Sequence, residues 1–368
     1  MRGRFVGAVL ALIFLALPAA AAPVLELPPP VEAFPVPAPP EVTARSWILY
    51  DDTYGVTLAE YEADAERPMA STTKIMTALV ALDRADPDDL VTVSAEAAAV
   101  GESEIGLVPG EEFLLRTLLV AMLVRSANDA AVAIAEYAGG SVEGFVALMN
   151  AKAEELGLEH TRFANPHGLD ARGHYSSARD LLTMARAAMA DPEFARAVRT
   201  RKVSLRPAPD GTERFADATN LLLSTYPGAV GVKTGYTGQA GLVLVAAAER
   251  DGRRLYAVVM GSEGPGAHFA DASALLDYGF DLFDVVPTVM TGSLPAPEGD
   301  HDLVTTGRLE ALVHAGTVPP VPSETVEEPD APAAPVPVAT ARRGQPPAGL
   351  AEALGWFLRY WRALMGDG

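Results

Sequence analysis

Cysteine is missing from all 368 residues, which removes disulfide frameworks, thiolate metal sites and cysteine nucleophiles together. Positive charge is scarce: 28 Lys and Arg stand against 48 Asp and Glu, a formal net charge of −20. A chain that grips nucleic acid through its phosphates needs a basic face, so no nucleic-acid partner is expected. The apolar run at residues 5–17 falls short of the roughly 20 residues that cross a bilayer as a helix. What the chain does have is 49% hydrophobic residues, enough for a sizeable core, and 30 prolines that cluster instead of spreading.

Arg2 and Arg4 precede the apolar run, and Pro18 and a string of alanines follow it. This order reads as a signal peptide over residues 1–21, cut after Ala21, with an uncleaved N-terminal anchor as the alternative. Both place the remainder outside the cytoplasm, in the periplasm or an equivalent extracytoplasmic space. Residues 22–43 are Pro-rich and read as an extended spacer. Residues 46–50 and 56–61 then read as two hairpin-paired strands. Ile75, Met76, Leu79, Val80 and Leu82 recur with a helical period and predict a helix over 71–84.

Further helices are expected over 114–137, 142–156 and 177–189, in a middle third with few strand signals. Strands return at 230–234, 241–249 and 253–260, the last two joined at Asp251-Gly252. A helix over 269–283 closes the block. The fold class is therefore α+β: an antiparallel β-sheet flanked by helices with a mostly helical subdomain, over residues 44–285. Residues 286–347 form a Pro-rich tail. In the last stretch, 348–368, Leu350, Leu354, Phe357, Leu358, Trp361, Leu364 and Met365 form one apolar stripe on an amphipathic helix. Such a helix suits a membrane surface, which makes the protein a peripheral membrane partner; docking on the protein's own surface is the other use.

Three short motifs carry chemistry, in this order: Ser71-Thr72-Thr73-Lys74, Ser126-Ala127-Asn128 and Lys233-Thr234-Gly235. Singly each has an ordinary explanation, as an N-cap, a satisfied turn and a strand end. Jointly they require three coincidences. Residues i and i+3 of a helix share a face, so the Lys74 amine reaches the Ser71 hydroxyl. A serine is a poor nucleophile until a base takes its proton, and a lysine is a base only when its pKa is lowered. Desolvation and a second cation, Lys233, supply that. The Ser71 N–H at a helix start is placed to stabilise an oxyanion.

Longer segments extend the pattern: residues 68–79, 126–131, 165–170, 174–180, 220–222 and 231–237. On these residues the chain resembles the low-molecular-mass penicillin-binding proteins, the serine D-alanyl-D-alanine carboxypeptidases, over roughly two thirds of its length. The motif set is shared with class A β-lactamases. The resemblance implies a β-lactamase/transpeptidase-like fold and a hydrolase that removes the terminal D-Ala of peptidoglycan stem peptides. In it Ser71 is acylated, Lys74 is its base and Ser126 relays a proton. Asn128 positions Lys74 and the substrate amide, and Lys233 and Thr234 bind the terminal carboxylate beside Gly235. The N–H groups of Ser71 and Tyr236 form the oxyanion hole. β-Lactams inhibit as substrate mimics, and no metal or cofactor is implied.

Two departures stand out. Where the family often has Arg-Phe-x-Asp-Ala, this chain reads His268-Phe269-Ala270-Asp271-Ala272, and a neutral His is a weaker carboxylate partner than a bidentate Arg. The tail is also too short for the β domain that many relatives carry. A D,D-endopeptidase cutting cross-links is therefore the runner-up. A class A-like β-lactamase and a non-catalytic wall-binding module stand behind it. His167 and His174 are read as structural, because Lys74 already occupies the base position.

Overall fold

The computed structural model describes residues 37–290. The signal peptide, most of the spacer, the tail past 290 and the C-terminal amphipathic helix expected from the sequence lie outside the described residues.

A hairpin opens the fold, β1 (Ser46–Asp51) against β2 (Val56–Tyr61), and a single 3-10 turn (Ala70–Thr73) leads directly into α1 (Lys74–Arg84). Short elements follow: β3 (Leu90–Thr92), α2 (Ala95–Ala98) and β4 (Glu112–Leu114). The helical block comprises α3 (Leu115–Val124), α4 (Asn128–Gly139), α5 (Val142–Glu155), α6 (Ala178–Met189) and α7 (Pro192–Arg199). A small hairpin of β5 (Lys202–Leu205) and β6 (Arg214–Asp217) and the short α8 (Leu222–Thr225) lead back to the sheet. It is completed by β7 (Ala229–Thr237), β8 (Gly241–Arg250) and β9 (Arg253–Ser262), and α9 (Ala267–Met290) covers it.

The main sheet is antiparallel, in the order β2-β1-β9-β8-β7, so β7 is an edge strand. Alternation along its central strands divides the core in two. Val243, Val245 and Ala247 of β8, with Tyr256, Val258 and Met260 of β9, face the helical block. Leu244, Ala246, Leu255, Ala257 and Val259 face Ala272, Leu275 and Leu276 of α9. With helices on both faces these strands have no solvent side, which is why they read as unbroken apolar runs. Within the helical block α4 is central: residues 130–135 are buried all round, and their small side chains let neighbouring helices approach.

The structure differs from the sequence reading at several places, among them the helices α2, α7 and α8, to which the sequence reading assigned nothing. The helix expected over 114–137 is two helices, broken at residues 125–127, where Ser126 adopts φ +68°. The middle third contains two short two-stranded pairs, β3-β4 and β5-β6, with strands of three and four residues that are too brief to display alternation. The closing helix begins two residues earlier than expected and runs to Met290. Thr43, at the assigned end of the spacer, is already fixed: its N–H and hydroxyl donate to the Asp271 carboxylate at 3.0 and 2.8 Å.

Candidate active site

The segment over residues 71–74 is held in shape by its threonines. Thr72 and Thr73 are fully buried, and their hydroxyls donate to the carbonyls three residues back, Met69 O at 2.6 Å and Ala70 O at 2.8 Å. These local bonds tighten the entry to α1 into a 3-10 turn. Ala70 sits at φ +48°, a left-handed conformation unusual for a residue with a Cβ. Ser71 follows it, half-buried at the helix start.

Lys74 lies three residues on, completely buried. Its Nζ is 2.9 Å from Ser71 Oγ, 2.8 Å from Asn128 Oδ1 and 2.6 Å from the His167 carbonyl oxygen. Burial, and then the charge of Lys233, push its pKa well below that of a free lysine. A neutral amine has two N–H bonds and one lone pair. The two N–H bonds serve Asn128 Oδ1 and His167 O, which can only accept. That leaves the lone pair for the Ser71 hydroxyl proton, the arrangement a general base requires.

Asn128 is oriented at both ends. Its Nδ2 donates to Gly101 O at 3.1 Å, so Oδ1 must face Lys74, and its backbone N–H donates to Ser103 O at 2.6 Å. The neighbouring Asp129, 1% exposed, accepts from the backbone N–H groups of Ile105, Gly106, Leu107 and Ala130. A carboxylate at a helix N-terminus is favoured there, and this one also ties down the loop that holds Asn128. The break between α3 and α4 therefore delivers Ser126 and Asn128 to the site from one short, fixed connection.

The third motif lies on the edge strand. Lys233 is fully buried, and its Nζ donates to Ser126 Oγ at 3.1 Å and to Thr234 O at 2.9 Å. Burial lowers its pKa to about 7. The Thr234 hydroxyl pairs with that of Thr219 at 2.8 Å. Gly235 makes the close approach possible: a Cβ there would come within 3.0 Å of both Ser71 N and the Ala70 methyl group. Tyr236 is 40% exposed beyond it, and Asp170 fastens the strand end by accepting from Thr237 Oγ1 at 2.7 Å.

All eight residues singled out from the sequence stand on the three segments that meet here. Direct contacts join Ser71 to Lys74, Lys74 to Asn128 and Lys233 to Ser126. The reading missed the His167 carbonyl, because a backbone oxygen leaves no trace in a side-chain motif. Its imidazole takes no part in that bond; burial and the Lys74 charge lower its pKa to about 3. Thr219 was missed although it adjoins residues 220–222, because a single threonine outside that segment gives no sign of the hydroxyl it will pair with. His268 is 3% exposed, stacks on Phe269 with ring centroids 3.9 Å apart, and is held neutral by burial, its pKa lowered to about 3. Among the described residues no three His, Asp or Glu side chains converge as a metal site would require.

The comparisons with known proteins agree with this geometry. D-alanyl-D-alanine carboxypeptidase DacF of Bacillus subtilis is 39% identical over 249 residues, 66% of this chain and 64% of that protein. DacC of Escherichia coli is 37% identical over 262 residues, 68% of this chain and again 64% of the relative. This chain thus spans just under two thirds of the length of both. DacB2 of Mycobacterium tuberculosis is 38% identical and matched over 90% of its length and 72% of this chain. The crystal structure of the Streptomyces K15 DD-transpeptidase superposes with a TM-score of 0.63 at 33% identity, covering 66% of this chain and 99% of that one. The D-alanyl-D-alanine carboxypeptidase profile, peptidase family S11, matches residues 34–264, and with the same three segments converging on Ser71 the chain belongs to that family.

Proposed function

We propose that this protein is a serine D-alanyl-D-alanine carboxypeptidase that removes the terminal D-Ala from peptidoglycan stem peptides through an acyl-enzyme on Ser71. The observation that carries the reading is the buried Lys74 amine, 2.9 Å from Ser71 Oγ and also bonded to Asn128 Oδ1 and the His167 carbonyl oxygen. Lys74 takes the hydroxyl proton as Ser71 Oγ attacks the carbonyl carbon of the penultimate D-Ala. The developing oxyanion is held by the N–H groups of Ser71 and Tyr236. Ser126, hydrogen-bonded to Lys233, relays to the departing amine the proton that Lys74 took from Ser71; as the C–N bond breaks D-Ala leaves, with Ser126 reprotonated and Lys74 neutral again. Water then attacks the ester carbonyl; Lys74 takes its proton and returns it to Ser71 Oγ as the acyl–oxygen bond breaks. Lys233 and Thr234 hold the terminal carboxylate, and β-lactams acylate Ser71 as substrate mimics.

His268 supports a second reading. It stands where the resemblance has an arginine, and it is buried and neutral. That side chain brings no cation to a free terminal carboxylate, so D,D-endopeptidase action on cross-links is the alternative substrate choice. Export and peripheral membrane attachment rest on residues 1–21 and 348–368; among the described residues no single helix is long and apolar enough to cross a membrane.

Intact-mass analysis with benzylpenicillin tests the chemistry. A penicilloyl adduct is expected on the wild-type protein and none on Ser71→Ala. Rapid penicillin turnover would instead indicate a β-lactamase, and neither adduct nor turnover a non-catalytic wall-binding module. Release of free D-Ala from a D-Ala-D-Ala peptide, compared with cleavage of cross-linked muropeptides, separates carboxypeptidase from endopeptidase.

A further inference from the structure

His174 is read from the sequence as a structural residue, yet its ring lies one hydrogen bond from the nucleophile segment. It is 6% exposed, and Phe163 packs edge-on against it at 6.0 Å between ring centroids. Its two nitrogens are used differently. Nδ1 lies 3.0 Å from the Ala164 N–H, which can only donate, so Nδ1 must be bare. The proton of the neutral ring therefore sits on Nε2, 2.8 Å from Thr73 Oγ1. Thr73, receiving that proton, turns its own hydroxyl hydrogen to Ala70 O at 2.8 Å.

The bonds thus form a one-way chain from the Ala164 amide through His174 and Thr73 to the Ala70 carbonyl. Its end point is the left-handed residue immediately before Ser71. Gly168 presses on the same carbonyl: a Cβ there would come within 2.1 Å of Ala70 O. Two more bonds fasten the same loop to α1, His167 O to Lys74 and Pro166 O to Thr77 Oγ1 at 2.6 Å.

We propose that His174 is a positioning residue for acylation: as its Nε2–H tautomer it orders the Thr73 hydroxyl, which holds the strained Ala70 peptide and so aims Ser71 Oγ and the Ser71 N–H. The inference rests on Ser71 being the nucleophile. The ionisable groups that act on the ring are Asp170, Lys74 and His167, and burial keeps it neutral, with its pKa lowered to about 4.

Two substitutions separate the two ends of the ring. In His174→Gln the side-chain amide reaches the Nε2 position and can donate to Thr73; in His174→Asn it reaches only the Nδ1 position. Penicillin acylation, resolved into initial binding and the first-order acylation step, is the readout, with melting temperature measured alongside. The Asn variant is expected to acylate about tenfold more slowly with unchanged initial binding, the scale of one buried hydrogen bond, and the Gln variant to recover most of that loss. Equal rates in both variants and the wild type, or equal losses in both that merely track melting temperature, would overturn the proposal. Nitrogen-15 NMR of histidine-labelled wild-type protein tests it without mutation: a proton on Nδ1 of His174 overturns it, and a proton on Nε2 across neutral pH is expected. A wild-type protein that neither takes a penicilloyl adduct nor turns penicillin over overturns the Ser71 reading along with this one, whereas a normal adduct with an unaffected Asn variant overturns this one alone.

Discussion

The smallest residues at the site carry the tightest constraints. At Gly235 a single added methyl group would meet Ser71 N and the Ala70 Cβ at 3.0 Å, closer than such contacts normally come. Gly235 itself has ordinary strand geometry, so its substitution tests space and not backbone freedom. Gly235→Ala is expected to push β7 away from the nucleophile turn by a few tenths of an ångström to an ångström. Penicillin acylation should fall about 100-fold, the scale on which misplacement of reacting groups acts, while the thermal melt stays within a few degrees of wild type. A variant that acylates at the wild-type rate would mean that the turn and strand are free to part without cost. The K-T-G motif was legible as chemistry for its lysine and threonine. Why its third member must be glycine becomes legible only when the strand is seen against Ser71.

Among the elements, the break between α3 and α4 does most to build the site, and it depends on one carboxylate. Asp129 satisfies four backbone N–H groups, three of them from the 105–107 loop. Asp129→Ala leaves three buried donors and the part-buried Gly106 N–H without an acceptor, at a cost of about 3 kcal/mol. A thermal melt should drop by about 6–12 °C for a domain of this size, and penicillin acylation should slow because Asn128 loses its fixed loop. A melt unchanged by Asp129→Ala would show that water or other groups take over the four donors. The sequence could not place this break. Residues 114–137 have the composition of one long helix, and the Ser-Ala-Asn-Asp interruption breaks no periodicity strongly enough to outweigh it. The long elements were readable because their signals are repeated many times: the buried strands β8 and β9, the Asp251-Gly252 turn, and the amphipathic α6. The short ones were not, since β3 and β4 contribute only three residues each. At α7 the signal was present and local: Asp191 caps the helix and Pro192 opens it.

For the whole molecule, the buried histidines contribute to the response to acid, alongside carboxylates such as Glu111 that Arg214 holds below their usual range. In an unfolded chain each imidazole titrates near 6.5; here burial lowers His268 and His167 to about 3 and His174 to about 4. The unfolded state therefore takes up these protons first as pH falls. Their contribution to stability is complete above about pH 6.5 and is lost on acidification below it, until the folded-state values are reached. His268 is the cleanest reporter, being 3% exposed with no hydrogen-bond partner on Nδ1 among the described residues. In urea titrations between pH 6 and 4, His268→Phe should flatten the slope of stability against pH by roughly 1 kcal/mol per pH unit. Parallel slopes for variant and wild type would assign the acid sensitivity to other groups. The position of β7 at the sheet edge has a separate consequence, for register. On the function proposed above, a substrate peptide laid extended along that edge would shift only in steps of two residues, about 7 Å, because a one-residue slip turns its side chains over. The strand would then work as a ruler with coarse divisions.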